Sequence, residues 1–135
     1  LLALVRKSES SLHMRMYAVA LDELRARWRD GNHFVGKDDI VRWSELSGLS
    51  VTDVLDKLAV ELASDFFVGF LGWEFVDNAA NALFAALIDL SGDEKLEWPT
   101  DFDEFYLAFD YSEMRGPKDR ELIRAFLAKH SQLTG

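Results

Sequence analysis

The chain has 135 residues, 49% hydrophobic and 29% charged, which supplies a packed core and argues against general disorder. It has no cysteine, so a disulfide framework and thiolate chemistry are excluded. The formal charge of −9 is unevenly spread: residues 1–30 sum to +2, residues 38–113 to −15, and residues from Arg115 onward to +3. An acidic middle repels polyphosphates and favours cationic partners, either a basic protein surface or metal ions.

The first helix is expected over about 11–30, where Leu12, Met16, Tyr17, Ala20, Leu21, Leu24 and Trp28 form one apolar stripe and Gly31-Asn32 supplies a stop. A second helix spans about 37–47, ended by Gly48. A third starts after Ser50, with Asp53 three residues on in an arrangement like a capping box. Together, residues 38–58 have the cadence of a helix-turn-helix: Ser44 is small, Gly48-Leu49-Ser50 makes the turn, and Val54 anchors the second helix. The would-be recognition helix presents Thr52, Asp53, Asp56 and Lys57 and has no Arg, Asn or Gln to read base edges, so a structural corner is favoured over DNA binding.

A fourth segment, about 64–90, is apolar nearly all round and is expected to be the central helix of the bundle, with Gly69 and Gly72 as the positions for a kink. Its longest nearly apolar run, 66–73, falls far short of the roughly 20 residues a membrane span requires. The expectation is a soluble, cytoplasmic protein. On this segment Glu74, Asp77, Asn78 and Asn81 fall at i, i+3, i+4 and i+7, a polar island in an apolar stripe. Burying unpaired carboxylates is costly, so the island calls for a structural hydrogen-bond network, a ligand cleft or a metal site.

Carboxylate and amide oxygens on one helix face suit Mg²⁺ or Mn²⁺. Asp53-x-x-Asp56 on the preceding helix offers a second acidic pair, making Asp53, Asp56, Glu74 and Asp77 the candidate ligands. Glu74-x-x-Asp77 resembles half of the acidic signature of the all-α nucleoside-triphosphate pyrophosphatases, in which paired acidic motifs on adjacent helices hold Mg²⁺. The resemblance covers about 25 residues, with Asp-x-x-Asp where that family prefers Glu-x-x-Glu. It implies a metal-dependent hydrolase acting on a nucleotide-like substrate.

The fifth helix is expected from Thr100, with Asp101, Asp103 and Glu104 in its first turn complementing the macrodipole. Phe102, Phe105, Tyr106 and Phe109 form its apolar stripe. With Trp98 ahead of it and Asp103 and Asp110 alongside, the 98–113 segment is also a candidate docking surface of aromatic anchors rimmed by acids. A sixth helix is expected from Pro117 to about His130. His13, His33 and His130 sit on separate elements without ligand spacing, and no nucleophile elbow, P-loop or dinucleotide fingerprint occurs.

These readings describe an all-α, single-domain bundle of five to six helices. It is more readily a binding module than an enzyme, recognising a basic protein partner or its own copy as a homodimer. The partner residues are Trp98, Phe102, Asp103, Tyr106 and Asp110, and the polar-island residues are Glu74, Asp77, Asn78 and Asn81. No cofactor is required on this reading. The divalent-metal hydrolase is the alternative, and a helix-turn-helix regulator is disfavoured by its acidic helix.

Overall fold

A computed structural model describes residues 2–93, 95–115 and 120–130. They form six helices and, among the described residues, no strand: α1 (Leu2–Arg29), α2 (Lys37–Ser47), α3 (Val51–Phe67), α4 (Trp73–Asp93), α5 (Thr100–Arg115) and α6 (Glu121–Lys129). The all-α bundle expected from the sequence is the observed architecture. Pro117, expected at the start of the last helix, lies outside the described residues.

The expected 64–90 rod is two helices. Its first four residues finish α3, and a Schellman turn closes that helix: Phe70 N–H donates to Asp65 O at 2.8 Å and Gly69 N–H to Phe66 O at 3.0 Å. Gly69 sits at φ +87°, a left-handed backbone that any side chain would strain. The chain therefore turns where the apolar pattern alone allows one continuous helix.

The centre of the bundle is α3, which packs against all five other helices. It buries Val54, Leu55, Leu58, Ala59, Leu62, Ala63 and Phe66. Phe66 meets Phe109 of α5 edge-on at 5.4 Å, and Phe105 of α5 contacts both Phe109 at 5.1 Å and Phe126 of α6 at 6.1 Å. Fully burying each such ring stabilises by about 1.5–3 kcal/mol. By contrast α4 is amphipathic: Phe75, Val76, Ala79, Ala80, Leu83, Ala86 and Leu87 are buried, while Glu74, Asn81, Ala85 and Ile88 are exposed.

The corner between α2 and α3 forms as its sequence suggests. Gly48 takes φ +75° and donates to Ser44 O, and the Ser50 side chain accepts from Asp53 N–H at 3.1 Å. A charged clasp holds α2 to α1. Arg27 makes a two-pronged contact with Asp39, both bonds at 2.9 Å, and Arg42 bridges Glu23 and Asp39. The buried Trp43 donates its indole N–H to Glu23 at 3.0 Å, and Asp39 also accepts from Gly36 N–H. These bonds hold the Asp39 carboxyl down to about 2 and lower Glu23 as well.

Candidate functional site: the acidic face of α4 and α5

Helices α4 and α5 run antiparallel. Trp73 at the start of α4 meets Phe109 late in α5, at 6.5 Å, and Phe84 further along α4 stacks on Tyr106 at 4.2 Å with the rings 12° from parallel. Trp98, just before α5, meets the other side of this pair, edge-on to Phe84 at 6.4 Å. Phe84 and Tyr106 are half-buried and Trp98 is 39% exposed, so three rings form one aromatic seam open to solvent. Ile88, Leu107 and Tyr111 are exposed on the same two helices.

The seam is rimmed by acids. Asp103 and Asp110 lie one turn before and one turn after Tyr106 on α5, and Asp77 and Asn81 lie two turns and one turn before Phe84 on α4. Among the described residues, no cation lies within ion-pair distance of Asp103 or Asp110. The two helices carry Glu74, Asp77, Asp89, Asp93, Asp101, Asp103, Glu104, Asp110 and Glu113 against a single basic residue, Arg115. Of these acids, Asp77, Asp103 and Asp110 border the seam and make the field over it negative.

The structure brings some expected residues together and separates others. Trp98, Asp103, Tyr106 and Asp110 share the face, and so do Asp77 and Asn81, which joins half of the polar island to the aromatic segment. Phe102 does not belong: it is fully buried, in contact with Phe105 at 5.8 Å, because its position on α5 points at α3 and the core. The island itself is not interior. Glu74 and Asn81 are exposed, Asp77 and Asn78 half-buried, and the amides of Asn78 and Asn81 donate to carbonyls one turn back in their own helix, Glu74 O and Asp77 O. Its neighbours Ala85 and Ile88 are exposed too, so the supposed apolar stripe is on α4 its solvent side, and Phe70 belongs to the turn before that helix. The network foreseen for the island exists elsewhere, in the clasp of Glu23, Arg27, Asp39, Arg42 and Trp43. Asp39 at the third position of α2, an acid where a capping carboxylate belongs, was the available signal.

The four acids proposed as metal ligands are not assembled. Asp56 reaches the start of α5, accepting from Phe102 N–H at 2.9 Å, whereas Glu74 stands beside Trp73 at the Phe109 end. Phe102 and Phe109 are about 10 Å apart along the helix axis. Among the described residues no group of three or more His, Asp or Glu could hold a metal ion. Asp56 is a capping residue supplied from another helix, and burial pushes its carboxyl up, reinforced by Asp101 and Asp53 against the opposing Phe102 bond. It lines an open recess of about 300 Å³ with Asp53, Asp101, His13 and His130; His130 Nδ1 lies 3.6 Å from Asp101. On the same side of α3, Thr52 donates to Glu97 O and Asp56 accepts from Phe102 N–H, tying the helix to the start of α5.

No family model matches the chain, and no curated protein and no solved structure matches it. Among the described residues no helix is long and apolar enough to cross a membrane.

Proposed function

We propose that the protein acts by binding, as an acidic helical module whose α4–α5 face receives a basic protein segment. The observation that carries this reading is the Trp98–Phe84–Tyr106 seam, partly open to solvent and flanked by Asp103 and Asp110. Aromatic anchors supply apolar contact area, and their faces attract Lys or Arg side chains. The flanking carboxylates steer such a segment and fix its register. A matching partner is an amphipathic helix with one apolar stripe and a Lys/Arg rim. Such a module would work in the cytoplasm, the compartment suggested by the sequence.

Titration of a fluorescently labelled, lysine-rich amphipathic peptide into the protein tests the reading by anisotropy. Binding should weaken steeply between about 50 mM and about 0.5 M salt. It should fall by about tenfold or more in Trp98→Ala and in Asp110→Lys. Equal affinity in both variants and at both salt concentrations would overturn it.

A further inference from the structure

The opposite charge is gathered at the turn between α3 and α4. Val68 and Phe70 there are 72% and 60% exposed, an unusual concentration of bare apolar surface on one turn. Arginines flank it from two sides. From α1, the Arg25 guanidinium lies over the Phe70 ring at 5.2 Å, and Arg25 and Arg29 line a recess of about 200 Å³ with Trp28 and Phe70. From the α6 side, Arg120 lies over Phe67 at 4.4 Å and donates to Phe67 O, and Arg124 lies over the same ring at 5.3 Å.

Among the described residues, neither Arg25 nor Arg29 has a carboxylate within ion-pair distance, whereas Arg27 and Arg42 are committed to the clasp. Of the nearby acids, Asp65 accepts from the Tyr17 hydroxyl at 2.6 Å and Glu121 pairs with Arg124 at 4.0 Å; the four guanidiniums of Arg25, Arg29, Arg120 and Arg124 outnumber these two carboxylates.

We infer that the basic segment fitting the α4–α5 face is this arginine-ringed turn on a second copy of the chain. This rests on the reading of the acidic face above and names its occupant. The two patches match in kind: one presents aromatic surface beside the carboxylates of Asp103 and Asp110, the other Val68 and Phe70 beside the guanidiniums of Arg25 and Arg29. They also adjoin, because α4 starts just past the basic turn and carries the acidic face along its length; Phe84 lies about 16 Å from Trp73 at 1.5 Å per residue. Adjoining patches of opposite sign on one chain can pair about a two-fold axis, the arrangement inferred here: the pole of each copy meets the face of the other, and two equal contacts close a dimer.

Sedimentation equilibrium of the full chain tests this with two charge-reversed proteins. One carries Arg29→Glu with Arg124→Glu at the pole, and the other carries Asp103→Lys with Asp110→Lys on the face. Circular dichroism confirms that both fold, the four positions being surface ones. The unaltered chain should dimerise at about 50 mM salt and dissociate near about 0.5 M. Each reversed protein alone should dimerise about tenfold or more weakly, since its two patches then carry like charge. An equimolar mixture should recover the dimer, because each reversed pole then meets a reversed face and each native pole a native face.

A monomer under all conditions, or a mixture that fails to recover, overturns the inference. If that monomer still binds the lysine-rich peptide, the acidic-face reading stands with a different partner; if it binds neither, both fail. A monomer that sediments with phosphatidylserine vesicles through Arg29 and Arg124 would also overturn it and assign the pole to an anionic lipid surface.

Discussion

Replacing Asp39 by Asn removes the charge at the centre of the α1–α2 clasp while keeping the side chain's shape. The Asp39 side chain is only 18% exposed and accepts from Arg27, Arg42 and Gly36 N–H, which brings its carboxyl down from an ordinary 3.8 to about 2. At about 1.4 kcal/mol per unit, that preference for the ionised form is worth about 2 kcal/mol of folding stability. Because the pKa is lower in the folded state, the contribution is complete above about pH 4 and is lost as pH falls toward about 2. Urea denaturation of both proteins between pH 7 and pH 2 measures the difference. Asp39→Asn should be less stable by about 2 kcal/mol at neutral pH, and the gap should close on acidification. Asp56, which shares no partner with the clasp, titrates in both proteins and largely cancels in the comparison. A gap that stays constant, or widens as pH falls, would refute the assignment of this stability to an ionised Asp39.

Three further substitutions check the fold and the corrected site. Gly69→Ala forces a side chain into the left-handed Schellman position and should cost about 1–2 kcal/mol in denaturant unfolding; a neutral result would mean that α3 does not end there. Phe102→Ala should destabilise by about 3–5 kcal/mol, while the exposed Trp98→Ala should cost far less, as their melting temperatures would show; the reverse order would return Phe102 to the surface. Asn78→Ala and Asn81→Ala should each change stability by less than about 0.5 kcal/mol, because their amides only back-bond to their own helix. Losses of about 1–3 kcal/mol in urea would restore the buried network.

Helix identity was legible because periodicity and stop signals agree: Met16, Ala20 and Leu24 mark one face of α1, and Gly48 with Ser50 punctuates the α2–α3 corner. The 64–90 segment misled for a physical reason. Phe67, Val68, Phe70 and Leu71 continue an apolar run through a turn, and hydrophobicity does not register the positive φ of Gly69. Merging α3 with α4 placed Glu74, Asp77, Asn78 and Asn81 on an interior rod and inflated the cost of their burial. The aromatic–acidic segment was legible in part: Trp98, Tyr106, Asp103 and Asp110 do share a surface, but the choice of Phe102 needed the rotation of α5 against α3. Joining Asp77 and Asn81 to that surface needed the antiparallel pairing of α4 and α5. The clasp escaped notice because Glu23, Arg27, Asp39 and Arg42 each look like ordinary surface charges until α2 folds back on α1.

Amide chemical-shift mapping gives the most direct view of the binding surface. On addition of the lysine-rich peptide, perturbations should concentrate between residues 77 and 88 and between 98 and 111, with the Trp98 indole among the largest. Shifts centred instead on the Asp53, Asp101 and His130 recess, or spread evenly over the acidic residues, would contradict the assignment of recognition to the α4–α5 seam.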